Sequence, residues 1–233
     1  MTTTDQILAL AAHPASTAEA DAGLARFAEA VAAGMNSQVV RALRTLCPAD
    51  DGPAWRAWLS AAAALSAPGG ATPDGAVPAG AVPDSAVPGD ATLDGAAPAV
   101  GPAVTTVVCA AATALGDNSS AAVAAGLAAA ALVEAGLATA AGWSVPVVSA
   151  GIGAGLAAGL MLGLSDAQLR SALGICATQA AGLRAAAGTA AAPLQAGKAA
   201  FNAVEAAQLA RLGFTSSREP LDGRRALFPL FAS

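Results

Sequence analysis

The chain has 233 residues, enough for one sizeable hydrophobic core, and its formal net charge of −5 excludes a basic surface for nucleic acid. Hydrophobic residues make up 55% of the chain but aromatic residues only 3%, because alanine supplies most of the apolar total. Alanine is the strongest helix former, and runs of β-branched and aromatic residues are short and scattered. We therefore expect an all-α fold, a bundle of about seven to eight Ala/Gly-rich helices.

The first segment, residues 1–67, carries three helix patterns. Ser16 and Glu19 have the spacing of a capping box, in which each side chain bonds the backbone of the other residue. Gly34 stands where a glycine commonly ends a helix, and Pro48 stops the next pattern. These signals predict helices at residues 16–34, 36–46 and 53–65.

The second segment, residues 68–99, is a proline-containing repeat with a period of five residues that begins at Pro73. Proline cannot continue a helix, and glycine raises the entropic cost of ordering the chain. Little large apolar surface is present to offset that cost. The composition predicts a disordered linker rich in proline, glycine and alanine.

The third segment, residues 100–233, returns to dense helix patterns. Ser165 and Gln168 again have the spacing of a capping box, and Gly213 can close the last long helix. Five helices are predicted, at residues 102–115, 119–141, 147–162, 165–187 and 193–213.

A stripe of glycines, spaced every four residues, lies inside the uncharged stretch 135–165. In lipid such a stripe drives helix association, and in water it marks a helix packed closely on a neighbour. The stretch has few large apolar residues and no flanking basic cluster, so we expect no membrane span. The stripe consists of Gly151, Gly155, Gly159 and Gly163.

The cysteines Cys47, Cys109 and Cys176 are far apart and form no CxxC pair. We expect buried, reduced thiols in a cytoplasmic protein and no metal site. The first twelve residues lack the basic and apolar regions of a signal peptide.

Four blocks of the third segment, in this order and spacing, resemble the MmgE/PrpD family. This family includes 2-methylcitrate dehydratase, cis-aconitate decarboxylase and iminodisuccinate epimerase. The blocks are LGLSDAQLRSALGICATQAAGL at 162–183, APLQAGKAA at 192–200, AQLARLGFT at 207–215 and LDGRRALF at 221–228.

The resemblance implies a helical domain that is paired with a separate α+β domain, usually in a dimer, with the active site between the two domains. It also implies lyase or isomerase activity on small polycarboxylates without a metal or organic cofactor. The chain ends where the α+β domain would begin, so we expect the catalytic groups of that domain to be missing.

Transfer of the family's catalytic positions finds other residues in this chain. Ala192 stands at the lysine position of the K-x-L-H block, and Gln195 stands at its histidine position. Ser144 and Gly101 stand where the family has the histidines of two further motifs. The resemblance therefore implies no catalytic residue at any of these positions.

The remaining polar candidates are few. Gln179 and Arg184, in or beside the helix that faces substrate in the family, are candidates for holding an anion. His13, the single histidine, is interpreted as a spectator, and Lys198 as a solvated lysine on a helix face.

Two main interpretations stay open at this point. The chain is either an MmgE/PrpD-like pseudoenzyme, inactive alone or completed by a partner chain, or a non-catalytic helical scaffold that forms a homodimer. In the first case a small carboxylate is the expected ligand. A membrane-associated helical protein is a third and weaker alternative.

Overall fold

The computed structural model describes residues 1–12, 16–46, 52–68, 100–116, 119–137 and 142–231. These residues form ten α-helices, one short 3-10 helix and a single isolated β-bridge, which confirms the all-α prediction. The helices are α1 (Thr3–Ala12), α2 (Ala18–Gly34), α3 (Gln38–Leu46), α4 (Gly52–Leu65), α5 (Pro102–Thr113), α6 (Ser120–Gly136), α7 (Val145–Met161), α8 (Asp166–Thr178), α9 (Ala191–Arg211) and α10 (Leu227–Phe231), with the 3-10 helix at Arg184–Ala186.

All eight predicted helices are present, and α1 and α10 are additional. The predicted capping box of Ser165 and Gln168 forms at the start of α8, but the predicted box of Ser16 and Glu19 is wrong. Helix α2 begins later, at Ala18, without a side-chain cap. Helix α8 ends at Thr178, well before the predicted residue 187. Three predicted features lie outside the described residues: His13, Cys47 and the linker, of which only Pro68 is described.

Helix α7 lies at the centre of the bundle and packs against α5, α6, α8 and α9. Most of its residues are buried, in agreement with its lack of charged side chains. Helix α4 packs mainly on α9 and also on α2 and α5. One hydrophobic core therefore includes helices from both sides of residues 69–99.

Glycine allows the central helices to approach closely. A Cβ atom on Gly153 would lie 2.3 Å from the carbonyl oxygen of Gly126, so α6 and α7 meet backbone to backbone. A Cβ on Gly155 would lie 2.6 Å from Cys176 Sγ, and one on Gly159 would lie 2.5 Å from Leu169 Cδ2. The glycine stripe of α7 thus marks close helix packing, here against α8.

None of the helices in the described parts of the chain has both the length and the apolar character needed to cross a membrane.

The first helix is attached to the last part of the described chain. Asp222 accepts hydrogen bonds from the Thr3 hydroxyl at 2.8 Å and from the Thr4 backbone N–H at 3.3 Å. Asp5 forms an ion pair with Arg170 of α8 at 2.8 Å. The hydrogen bond from Arg170 is the largest of the effects that lower the pKa of Asp5 to about 2. Polar contacts therefore fix α1 to α8 and to the turn at residue 222.

Candidate functional site

A short backbone bridge joins the start of α7 to the loop that follows α8. The Ser144 N–H donates to the Gly182 carbonyl at 3.0 Å, and the Arg184 N–H donates to the Gly142 carbonyl at 3.1 Å. Between them, Trp143 and Leu183 form an antiparallel bridge. We call residues 142–144 and 182–184 the bridge loop. It brings Ser144 next to the loop that follows α8.

Gln195 of α9 completes this bridge from the other side. Its Oε1 accepts a hydrogen bond from the Leu183 N–H at 3.0 Å, and its Nε2 donates to the Leu183 carbonyl at 3.4 Å. The amide thus pairs with both backbone groups of a single residue, as a neighbouring strand does. An amide does not titrate near neutral pH. The Gln195 side chain therefore fixes the bridge loop to α9.

The other three positions that the resemblance singled out offer little chemistry. Ala192, one turn before Gln195, is 3% exposed and presents only a methyl group. Ser144 is fully buried at the start of α7. Gly101 precedes α5, and a Cβ built there would meet nothing within 4 Å. Two of the four positions meet at the bridge loop: Ser144 lies in it, and Gln195 forms hydrogen bonds with it.

The two predicted anion ligands are separated. Arg184 begins the 3-10 helix with an exposed side chain. Gln179 instead lines a pocket of about 110 Å³ between α7, α8 and α9. Its walls are mainly valine and alanine, and its polar lining residues are Gln179, Gln195, Lys198 and Asn202.

Gln179 occupies the centre of a hydrogen-bond network. Its Nε2 donates to Glu205 Oε2 at 3.0 Å, and its backbone carbonyl accepts from Asn202 Nδ2 at 3.4 Å. Its Oε1 is buried and has no hydrogen-bond partner. A buried acceptor without a partner costs free energy, so a donor that reached it would be stabilised.

Lys198 lies beside this network and does not have the fully solvated position expected from the sequence. Its Nζ is 3.6 Å from the ring centroid of Phe201 and 5.1 Å from that of Trp58. Burial lowers the pKa of Lys198, and the charge of Glu205 opposes that effect. The i, i+3 spacing of Lys198 and Phe201 was the signal in the sequence, but the contribution of α4 to the aromatic cluster required the tertiary structure.

Cys176 also lines the pocket, with its thiol buried. Burial raises the pKa of the Cys176 and Cys109 thiols to about 12. Because the thiolate is the reactive form, neither side chain is an activated nucleophile. Both cysteines are free, as the sequence predicts.

A larger cleft of about 850 Å³ lies between α8, residues 215–226 and α10. Arg224 and Arg225 line it together with Glu219, so its charges are mixed. Across the described parts of the chain, no group of three or more His, Cys, Asp and Glu side chains is placed to hold a metal ion.

Comparison with known families agrees with the blocks described above. Residues 90–233 match the family model of the MmgE/PrpD N-terminal domain. No curated protein matches the chain.

Proposed function

The chain belongs to the MmgE/PrpD family, and we propose that its helical domain does not carry out the family's lyase or isomerase chemistry with its own side chains. In this proposal the domain is a pseudoenzyme half. It packs against an α+β half or a partner chain and forms one wall of the cleft between them. Any catalytic groups come from that half or from that chain.

The observation that carries the proposal is the hydrogen bonding of Gln195. Elimination next to a carboxylate needs a base that takes up a proton, and the negative charge that develops needs cationic or N–H donors. Gln195 stands at the family's histidine position, yet both ends of its amide bond the Leu183 backbone. A side chain committed to the loop cannot exchange a proton with a substrate.

The neighbouring positions support the same conclusion. Ala192 and Gly101 have no functional group, and Ser144 has only a buried hydroxyl. A serine needs an adjacent base to become a nucleophile. The described residues contain no histidine to serve as that base.

The test is proton exchange at the carbon next to a carboxylate. The purified protein is incubated in D₂O with citrate, cis-aconitate and 2-methylcitrate, and deuterium incorporation, elimination and decarboxylation are followed by NMR. We expect rates equal to those without protein. Turnover by the wild type that is lost in the variant Lys198→Met would overturn the proposal, because that turnover would depend on a side chain of this chain.

A dimerising scaffold is the second candidate, and an exposed apolar patch favours it. Leu183 is 55% exposed and Leu230 is 64% exposed. They lie beside the contact between Trp143 and Phe231, whose ring centroids are 4.5 Å apart. Exposed patches of this kind often mark protein interfaces. Analytical ultracentrifugation of the wild type and of Leu230→Ser distinguishes a dimer that uses this patch from a monomer.

A further inference from the structure

The described helices fall into two groups, one on each side of residues 69–99. The N-terminal group consists of α1–α4, and the C-terminal group consists of α5–α10. All four blocks that resemble the family lie in the C-terminal group. Yet both groups contribute to one hydrophobic core, so the C-terminal group does not complete its core alone.

The main contact between the two groups is that of α4 with α9. Trp58 of α4 lies against Gly197, where a Cβ atom would be 2.5 Å from Trp58 Cδ1, and its ring meets the edge of Phe201 with the centroids 5.7 Å apart. Trp55 meets the same Phe201 ring at 5.4 Å. Both helices also bury several alanines. Aromatic anchors in close-packed surroundings are typical of specific protein interfaces.

Polar contacts fix the register of three helices of the N-terminal group on the C-terminal group. Arg56 of α4 donates a hydrogen bond to the Ala114 carbonyl, at the end of α5, at 3.0 Å. Asp21 of α2 accepts a hydrogen bond from the Ser120 hydroxyl at the start of α6. Helix α1 is held by the ion pair and the cap described above. The interface is therefore directional as well as apolar.

We propose that the two groups recognise each other as two subunits do, and that they stay associated when the peptide chain is divided within residues 69–99. The face of α5 and α9 then fits a separate polypeptide that carries the α4 helix, with its two tryptophans and its alanines. In the intact chain the connection raises the local concentration of one group for the other. This proposal does not rest on the loss of family chemistry, so either can fail while the other stands.

The test divides the full chain after it has folded. The recognition sequence of a site-specific protease replaces residues 79–85, and the purified protein is cut and compared with the uncut protein by size-exclusion chromatography and far-UV circular dichroism. We expect the two fragments to elute together at micromolar concentration and to keep the helical signal. The urea midpoint of the cut protein should rise with protein concentration more steeply than that of the uncut protein, because its unfolding also separates two molecules.

Variants test the contacts assigned to the interface. Trp58→Ala removes the main anchor, and Trp143→Ala is the matched control, because Trp143 meets Phe231 within the C-terminal group. Before cutting, the connection keeps the groups at an effective concentration on the order of millimolar, so both variants should be folded. After cutting, Trp58→Ala should raise the dissociation constant about a hundredfold or more, and Trp143→Ala should leave it close to that of the wild type. Arg56→Met, a milder change that removes one hydrogen bond, should raise it severalfold. Native mass spectrometry over a dilution series measures the dissociation constants.

Two results would overturn the proposal. One is separation of the wild-type fragments at micromolar concentration, or loss of helix on cutting, because either would mean that the covalent connection holds the fold together. The other is equal weakening by Trp58→Ala and Trp143→Ala, which would mean that the contact between α4 and α9 does not carry the recognition. Turnover in the carboxylate assay would instead contradict the pseudoenzyme proposal and leave the interface in place.

Discussion

Gly197 of α9 lies directly under the indole ring of Trp58. A Cβ at this position would be 2.5 Å from Trp58 Cδ1 and 2.9 Å from the Trp58 carbonyl oxygen. Trp58 in turn stacks on Trp55, with ring centroids 5.0 Å apart, and meets the edge of Phe201. The APLQAGKAA block therefore needs a glycine at this position, because a larger residue would not fit in the contact between α4 and α9.

Replacing Gly197 with alanine should destabilise the fold. The new methyl group meets a backbone oxygen that cannot move without shifting α4, and overpacking of this kind costs about 1–3 kcal/mol. Urea unfolding measures the change in the free energy of unfolding. Gly151→Ala is the matched control, because its Cβ would lie 3.7 Å from Ala199 Cβ, an ordinary contact. The control should be neutral or stabilising by up to about 1 kcal/mol. Equal effects of the two substitutions would contradict this account.

Gln195→Leu should lower the free energy of unfolding by about 1–2 kcal/mol, because two hydrogen bonds to the Leu183 backbone are lost. Hydrogen exchange of residues 182–184 should become faster in this variant, and unfolding by urea measures the global effect. Gln208→Leu on the same helix is the control, since the Gln208 side chain makes no hydrogen bond with the described residues. An unchanged exchange rate at Leu183 would show that Gln195 does not hold the loop.

At the scale of the helices, the sequence predicts correctly those helix ends that carry a local signal. Gly163 follows α7 with a φ of +64°, and the Leu164 N–H donates to the Gly159 carbonyl at 3.0 Å. This is a Schellman motif, in which a glycine after the last helical turn satisfies free carbonyls. Gly213 ends α9 in the same way. Both stops lie within two residues of their predicted positions.

The end of α8 depends on residues elsewhere in the chain, and its prediction was wrong. The alanine-rich sequence beyond Thr178 favours a continuing helix. Residues 182–184 instead bond the chain at residue 142 and the side chain of Gln195. Gln195 is a similar case. The sequence places it in a recognisable block but does not predict its hydrogen bonds to Leu183. Local patterns contain no information about such distant partners.

The contact between α6 and α7 should depend on pH through Glu134. Ser149 donates a hydrogen bond to its carboxylate at 3.1 Å, but burial has the larger effect and raises the pKa of Glu134. The folded state therefore binds a proton more tightly than the unfolded state, and stability falls as pH rises above the ordinary value of 4.5.

Glu134→Gln should remove this loss of stability and keep an acceptor for Ser149. The free energy of unfolding in urea, measured from pH 4 to pH 8, should decline less in this variant than in the wild type. Glu29→Gln, the same substitution at an exposed position on α2, serves as the control. A variant with the same decline as the wild type would exclude Glu134 as its source.

At the scale of the whole molecule, Asp222 acts as the cap of a helix that lies more than two hundred residues earlier. Its carboxylate accepts bonds from Thr3 and Thr4 at the start of α1. Residues 1–12 lack the features of a signal peptide, and no helix is predicted there from the sequence. A cap so distant in sequence cannot be recognised from a local pattern.

Asp222→Ala should release α1 from the bundle. Loss of a helix cap costs about 0.5–2 kcal/mol, and the effect should be local, because α1 holds few core residues. Hydrogen exchange of residues 3–12 should become faster, with little change in α7. Asp222→Asn retains an acceptor oxygen and should behave nearly as the wild type does. Unchanged exchange in α1 of the alanine variant would show that Asp222 does not hold the helix.

The attachment of α1 also determines when this helix can reach its place during synthesis. The main contacts of α1 are with α6, α7, α8 and the turn at Asp222, and the nearest of these elements begins at Ser120. Helix α1 precedes these elements in the chain, and most of its binding surface does not exist until α6, α7 and α8 have been made. Contacts of such long sequence separation slow folding. The apolar side of α1, which includes the fully buried Ile7, is therefore exposed on the nascent chain until those helices have been synthesised and is open to chaperones during that time.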